Sequence, residues 1–222
     1  MTKIGIIFAM EKELELFASI VQQLQKKQIG HLTFYIGKIG GKEIIALVSG
    51  TCKVNAALAT YSLIFNFHPS LILNIGVSGG LDSSLQIGDI VMGENMVYHD
   101  VWCLEPSLYG QVQGLPAYFQ SAPILLEQFP EFKKGLLCTG DKFICTKEET
   151  DEIKKHFPTA LAVDMESAAI AQTCFLNHVP CFVLRQISDT PNKHRADEYD
   201  TFWKNAPKNA IKLFQQVIQK IS

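Results

Sequence analysis

Arginine is nearly missing from this chain: among its 20 basic residues, only Arg185 and Arg195 are arginines, and Arg185 sits inside an apolar run. A forked clamp of several guanidiniums around phosphate is therefore not expected within one chain. The lysines are scattered and the net charge is -2. That leaves no basic stripe to track a nucleic-acid backbone, so no nucleic-acid partner is expected. The six cysteines (52, 103, 138, 145, 174 and 181) form no C-x-x-C pair and no His/Cys spacing suited to zinc, which predicts reduced thiols and no metal. No apolar run approaches the roughly eighteen residues of a membrane span, and the chain enters a strand by Lys3 without the apolar stretch of a leader. The expectation is a cytoplasmic protein with no membrane partner. There is neither G-x-G-x-x-G nor a P-loop, and no internal repeat or low-complexity linker. With 222 residues and 47% hydrophobic content, one domain spanning 1–222 is the default.

What is present is a succession of short β-branched runs alternating with turn residues and helical periods. Residues 3–9 read as a strand feeding a helix through Leu14, Leu16, Phe17, Ile20 and Val21. Glu11, Glu13 and Glu15 crowd that helix start, where the macrodipole by itself favours carboxylates. The runs 32–39 and 42–48 flank Gly40-Gly41 as a hairpin. Residues 50–67 carry a helical pattern through Val54, Ala57, Leu58, Tyr61, Ile64 and Phe65. A buried strand over 71–75 is expected to end in a Gly76–Gly80 loop, either a plain tight turn or backbone that approaches a ligand. A strand over 89–98 precedes an irregular stretch, 101–119, of the kind that forms lids or contacts. Residues 124–128 are helix-like. The strand 135–139 opens into Gly140–Ile144, where Phe143 is a core plug or a stacking platform. Thr146 with Glu149 makes a capping box. A last helix runs from about Tyr199 to the end, with an apolar face through Phe202, Trp203, Ala206, Ile211, Phe214, Val217 and Ile218.

Chemistry-bearing side chains concentrate in 161–189. Asp164 and Glu166 precede a small-residue helix through Met165, Ala168, Ala169, Ile170 and Ala171. After His178, Val179 and Pro180 break that pattern, Asp189 follows a β-rich run over 181–187. Ligands of open α/β sheets collect outside the carboxyl ends of strands, which makes Asp189 a candidate. Glu13, at a strand-to-helix junction, shares that edge if the two strands are parallel. Plainer readings stand beside these: Asp189 as a cap or turn residue and Glu166 as a first-turn acid. His99 has no nucleophile or second ligand at a readable spacing and is read as a structural hydrogen-bonding residue rather than a base.

Taken together, the segments 6–13, Ser49-Gly50 with Lys53-Val54, 74–80, 88–91, Gly140-Asp141 with Phe143-Ile144, 163–166 and 185–189 resemble the 5'-methylthioadenosine/S-adenosylhomocysteine nucleosidases, in the family's order and over nearly the whole chain. The resemblance implies an α/β fold with a mixed, partly barrel-like central sheet surrounded by helices, no cofactor, and a nucleoside substrate whose N-ribosidic bond is hydrolysed to release adenine. It makes Asp189 the general acid toward adenine N7, Glu166 the holder of the ribose hydroxyls, and Glu13 the group that activates water. Phe143 would stack on the base, the Ile144 backbone would read its edge, Met165 would pack under the ribose and Ser188 would orient Asp189. Ser78 and Gly79 would line the substrate site, and Met10 and Tyr199 would border the 5'-alkylthio group. A homodimer is implied, with 101–119 facing the partner. The chain departs from the pattern at Asp164, where glutamate is frequent, at Phe8 and Cys52, where glycine is usual, at Thr51, usually apolar, and at Tyr199, often phenylalanine. The alternatives are a nucleosidase for another 5' substituent (futalosine or 5'-deoxyadenosine), a phosphorolytic relative of the same fold, and a non-catalytic purine-binding module.

Overall fold

The structure, a computed structural model, describes residues 2–190, 195–205 and 207–221. Along the chain run β1 (Lys3–Phe8), α1 (Glu11–Ala18), β2 (Gln22–Ile29), β3 (Leu32–Ile39), β4 (Lys42–Val48), α2 (Lys53–Phe67), β5 (Leu71–Gly80), β6 (Ile90–Tyr98), β7 (Phe119–Gln120), α3 (Pro123–Glu127), β8 (Lys133–Thr139), α4 (Lys147–His156), β9 (Ala160–Asp164), α5 (Ser167–Leu176), β10 (Cys181–Asp189), α6 (Arg195–Asn205) and α7 (Pro207–Lys220).

The near-continuous apolar run of β1 is explained by its position. It pairs in parallel with β4 on one side and β5 on the other, and strands buried on both faces need no polar alternation. From β5 the sheet continues two ways. β5 is parallel to β10, and its last residues pair antiparallel with β9. The path β10-β6-β8-β9 joins those two neighbours, so five strands close a barrel, while β1, β4, β3 and β2 extend from it as an open arm. This is the mixed, partly barrel-like α/β sheet that the resemblance implied.

Several local expectations change. Ile20 and Val21 fall beyond α1, and β2 went unforeseen because its residues, QQLQKKQI, are polar and almost all exposed. An edge strand of this kind carries no hydrophobic period, and its glutamines and lysines guard the open edge against pairing with another chain. Residues Gly76–Gly80 are not a loop but the end of β5. The expected last helix is two, α6 and α7. Pro207 has no N–H to continue a helix and suits a first helical position. Ala206 lies outside the described residues, as does the side chain of Ile211.

Two helices deserve their packing reasons. Phe8 on β1, Phe17 on α1 and Phe214 on α7 meet with ring centroids 5.4–5.8 Å apart, so the Phe8 side chain holds both helices to the sheet. On α2 the core face is Ala56, Ala59, Thr60, Leu63, Ile64 and Phe67. Of the periodic residues expected there, Val54, Leu58, Tyr61 and Phe65 face outward, each at least 51% exposed.

Candidate active site

The carboxyl ends of β1, β4, β5 and β10 converge, and β9 reaches the same edge because Gly79 pairs with Val163 and Gly80 with Ala162. A cleft of about 190 Å³ opens there. It is lined by every site residue expected from sequence: Met10, Glu13, Ser78, Gly79, Phe143, Ile144, Met165, Glu166, Ser188, Asp189 and Tyr199. Thr51, Asp164 and Lys142 line it as well. His99 does not. Its Nε2 is buried without a hydrogen-bond partner among the described residues, so the hydrogen bond expected of it is not made through that atom. The ring instead packs over Gly140, where even a Cβ would lie 2.3 Å from Nε2.

Glu13 enters the cleft from the first turn of α1. Its Oε2 accepts the backbone N–H groups of Ala9 (2.9 Å) and Met10 (3.0 Å), satisfying two donors at the helix start. Its Oε1 lies against β5 at Gly76, where a Cβ would come within 3.0 Å. Burial raises the Glu13 carboxyl above its ordinary range, opposed by the Met10 amide and by the charge of Arg185.

Glu166 sits at the N-cap of α5, yet its Oε1 accepts from the N–H of Cys52 (3.0 Å), at the start of α2. It is not a capping acid of its own helix. That task falls to Asp164, whose Oδ1 accepts from Glu166 N–H (3.2 Å), Ser167 N–H (3.1 Å) and the Thr139 hydroxyl (2.7 Å), and whose Oδ2 meets Arg185 Nε at 2.9 Å. Arg185 spends its remaining donors on the Asn74 side chain (2.5 Å) and on the carbonyls of Asn74 and Leu184. Asp164 is thus a buried anchor for the turn that presents Glu166. Burial, then the neighbouring Asp164, push the Glu166 carboxyl up to about 7.

Asp189 ends β10 and is fully buried. The Ser188 hydroxyl lies 2.7 Å from its Oδ1 and 3.2 Å from the Ser78 carbonyl. Its Oδ2 has no hydrogen-bond donor, and neither does the Ser78 hydroxyl a partner, among the described residues. Buried polar atoms are seldom left so, and here both border the cleft. Burial raises the Asp189 carboxyl, against the pull of the Ser188 hydroxyl and of Arg195. Gly79 is required beside it, since a Cβ there would lie 2.8 Å from Asp189 Oδ2. Phe143 stands at the rim, half-exposed, with its ring edge-on to Tyr199 at 5.6 Å. The Tyr199 hydroxyl lies 3.3 Å from Met10 Sδ and 3.2 Å from Lys12 Nζ.

Sequence reasoning did not single out Thr139, Asn74 or Arg195 for the site. An arginine inside an apolar run was the available signal for Arg185; Arg195 lies in a polar stretch, and its burial is seen only in the structure. Thr139 and Asn74 carried none, because one hydroxyl or amide in an apolar strand has no pattern. Among the described residues, no group of His, Cys, Asp or Glu is placed to hold a metal ion, and no helix is long and apolar enough to cross a membrane.

Residues 3–221 match the family described as the Phosphorylase superfamily. The 5'-methylthioadenosine/S-adenosylhomocysteine nucleosidase of Oceanobacillus iheyensis is 37% identical, over 98% of this chain and 99% of its own length. That of Staphylococcus aureus is also 37% identical, over 98% of this chain and its full length. Among solved structures, the Neisseria meningitidis nucleosidase of the same name, in complex with methylthio-immucillin-A, superposes with a TM-score of 0.95 at 35% identity, covering 100% of both chains. The S-adenosylhomocysteine nucleosidase of Streptococcus pyogenes, in complex with 5-methylthiotubericidin, also gives 0.95, at 34% identity, over 100% of this chain and 98% of that one.

Proposed function

Because the chain belongs to the 5'-methylthioadenosine/S-adenosylhomocysteine nucleosidase family, within the phosphorylase superfamily, we propose that it hydrolyses the N-ribosidic bond of such 5'-thio nucleosides and releases adenine. The chemistry assigns three carboxyl groups three tasks. As the C1'–N9 bond breaks, its electron pair passes to the base; Asp189 gives its proton to N7, so the base departs neutral. The sugar acquires oxocarbenium character, which the negative side chains near the ribose stabilise. Glu166 accepts hydrogen bonds from the ribose hydroxyls. Glu13, made more basic by burial, takes a proton from the water that attacks C1'. Met165 packs under the ribose, Phe143 stacks on the base, the Ile144 backbone meets its edge, and Met10 and Tyr199 border the 5' substituent.

The observation that carries this reading is the pair of differently furnished buried acids on one cleft: Asp189 with Oδ2 lacking a donor among the described residues, and Glu13 with Oε2 held by two amides. Acid and base roles follow from environments that treat two carboxyls differently. Phosphorolysis is disfavoured because Arg185 and Arg195 are both committed to carboxylates, and Lys142 at the rim is paired with Glu149 at 2.5 Å. We also read the protein as a homodimer, with the outward apolar face of α2 and the exposed Trp102, Leu104 and Leu108 of the 101–119 segment supplying the contact. The test is incubation with 5'-methylthioadenosine, S-adenosylhomocysteine, 5'-deoxyadenosine and futalosine in phosphate-free buffer, with the released base identified by chromatography. Adenine should appear from the thio nucleosides at a rate that added phosphate does not change. A strict phosphate requirement, or no release from either, overturns the reading.

A further inference from the structure

Arg195, at the start of α6, is as deeply buried as Asp189, and its guanidinium is distributed in an unusual way. The Nε lies 3.2 Å from Asp189 Oδ2, yet its proton is directed to the Thr190 carbonyl at 2.9 Å. One terminal nitrogen donates to the Ile144 carbonyl (3.0 Å) and the Thr150 hydroxyl (3.3 Å), and the other donates to the Gly80 carbonyl. The cation therefore stands against the carboxyl without giving it a hydrogen bond. Ser188 occupies Oδ1, and Oδ2 receives no hydrogen bond from the described residues. A full charge at this distance stabilises the carboxylate form, while the undonated oxygen stays able to carry and deliver a proton.

We propose that Arg195 is the positioning counter-ion of the acid. It sets how readily Asp189 holds its proton, and it ties the acid to the Ile144 backbone so that the two groups assigned to the base keep a fixed separation. The guanidinium remains a cation throughout the working pH range, so its influence is a constant field and not a switch. Other groups face the same locus: Glu198 on α6 opposes Arg195 at Asp189, Tyr199 senses the Asp189 charge, and Glu149 and Cys145 act on Arg195 from α4 and the loop before it. Without Arg195, burial and Glu198 would act on Asp189 with little opposition beyond the Ser188 hydroxyl. The acid would then keep its proton to higher pH and part with it less readily.

This inference rests on Asp189 being the general acid, and two readouts separate its failure from failure of that reading. The first is the pH profile of kcat/KM for 5'-methylthioadenosine in the wild type, Arg195→Gln and Arg195→Lys. The second, independent of turnover, is the titration of the Asp189 carboxyl by carbon-13 NMR, assigned against Asp189→Asn. Removing the charge should move the basic limb and the carboxyl midpoint upward together by about one to three pH units, and the lysine variant should return both toward wild type. Arg195→Met replaces the glutamine variant if circular dichroism finds the latter unfolded. Unchanged limb and midpoint in the neutral variant overturn the proposal, as does a lysine variant displaced as far as the neutral one. If no nucleoside is turned over, the function reading falls, and the NMR titration alone still decides whether Arg195 governs Asp189.

Discussion

Cys52 holds φ 76° and ψ 163°, a region reached without strain essentially by glycine alone, where other residues cost about 1–3 kcal/mol. The strain is retained because the Cys52 N–H must point at Glu166. Cys52→Gly should keep that hydrogen bond and relieve the strain, less the roughly 0.4–1 kcal/mol by which glycine loosens the unfolded chain. The expected net gain is about 1 kcal/mol, read as a rise in Tm of roughly 2–4 °C; a lower Tm would mean that the side chain itself packs usefully. Glu166 supplies a pH test. Its carboxyl sits at about 7 in the folded protein against 4.5 as its ordinary value, so the folded state holds that proton more tightly than the unfolded state. The resulting stability is fully present below about pH 4.5 and is lost as pH rises through about 7. The urea midpoint of the wild type should fall over that window more than that of Glu166→Gln. Equal slopes would show that the Glu166 proton is not bound more tightly in the folded state.

At the scale of elements, the strands that build the site were legible because they are buried on both faces. The runs 3–9, 42–48 and 181–187 are largely apolar and bounded by turn residues, and Thr146 announced α4 through its capping box, which forms with Glu149 as expected. β2 was illegible for the opposite reason, since an exposed edge strand has no apolar face to display. The end of β5 misled because glycines usually signal turns. Here Gly76 and Gly79 are absences of side chain inside a strand, and they let Glu13 and Asp189 lie flat against it. A one-dimensional pattern does not reveal that two carboxyls from distant segments need that room. The pairing of Arg195 with Asp189 was hidden too, because nothing in local spacing reports which buried cation meets which buried acid. Asp164 was legible as a departure but not as an anchor, since its partners Thr139 and Arg185 come from other strands.

For the molecule as a whole, the sheet places the carboxyl ends of distant strands around one cleft, and α1, which follows β1, brings Glu13 into it. The outward face of α2 makes a prediction at this scale. If the proposed homodimer forms through this face, the wild type should sediment as a dimer at equilibrium and a charge placed there, as in Phe65→Asp, should leave a folded monomer; a wild-type monomer would contradict the proposed assembly. The claim at the centre, that Asp189 delivers the proton that frees the base, is tested most directly by the rate of adenine release from 5'-methylthioadenosine by Asp189→Asn. Asparagine preserves shape and burial while removing the transferable proton. The expected result is a loss of about 10²–10⁴-fold in kcat with a near-native melting curve. A folded variant within about tenfold of the wild type, below the span a positioned general acid supplies, would contradict the account.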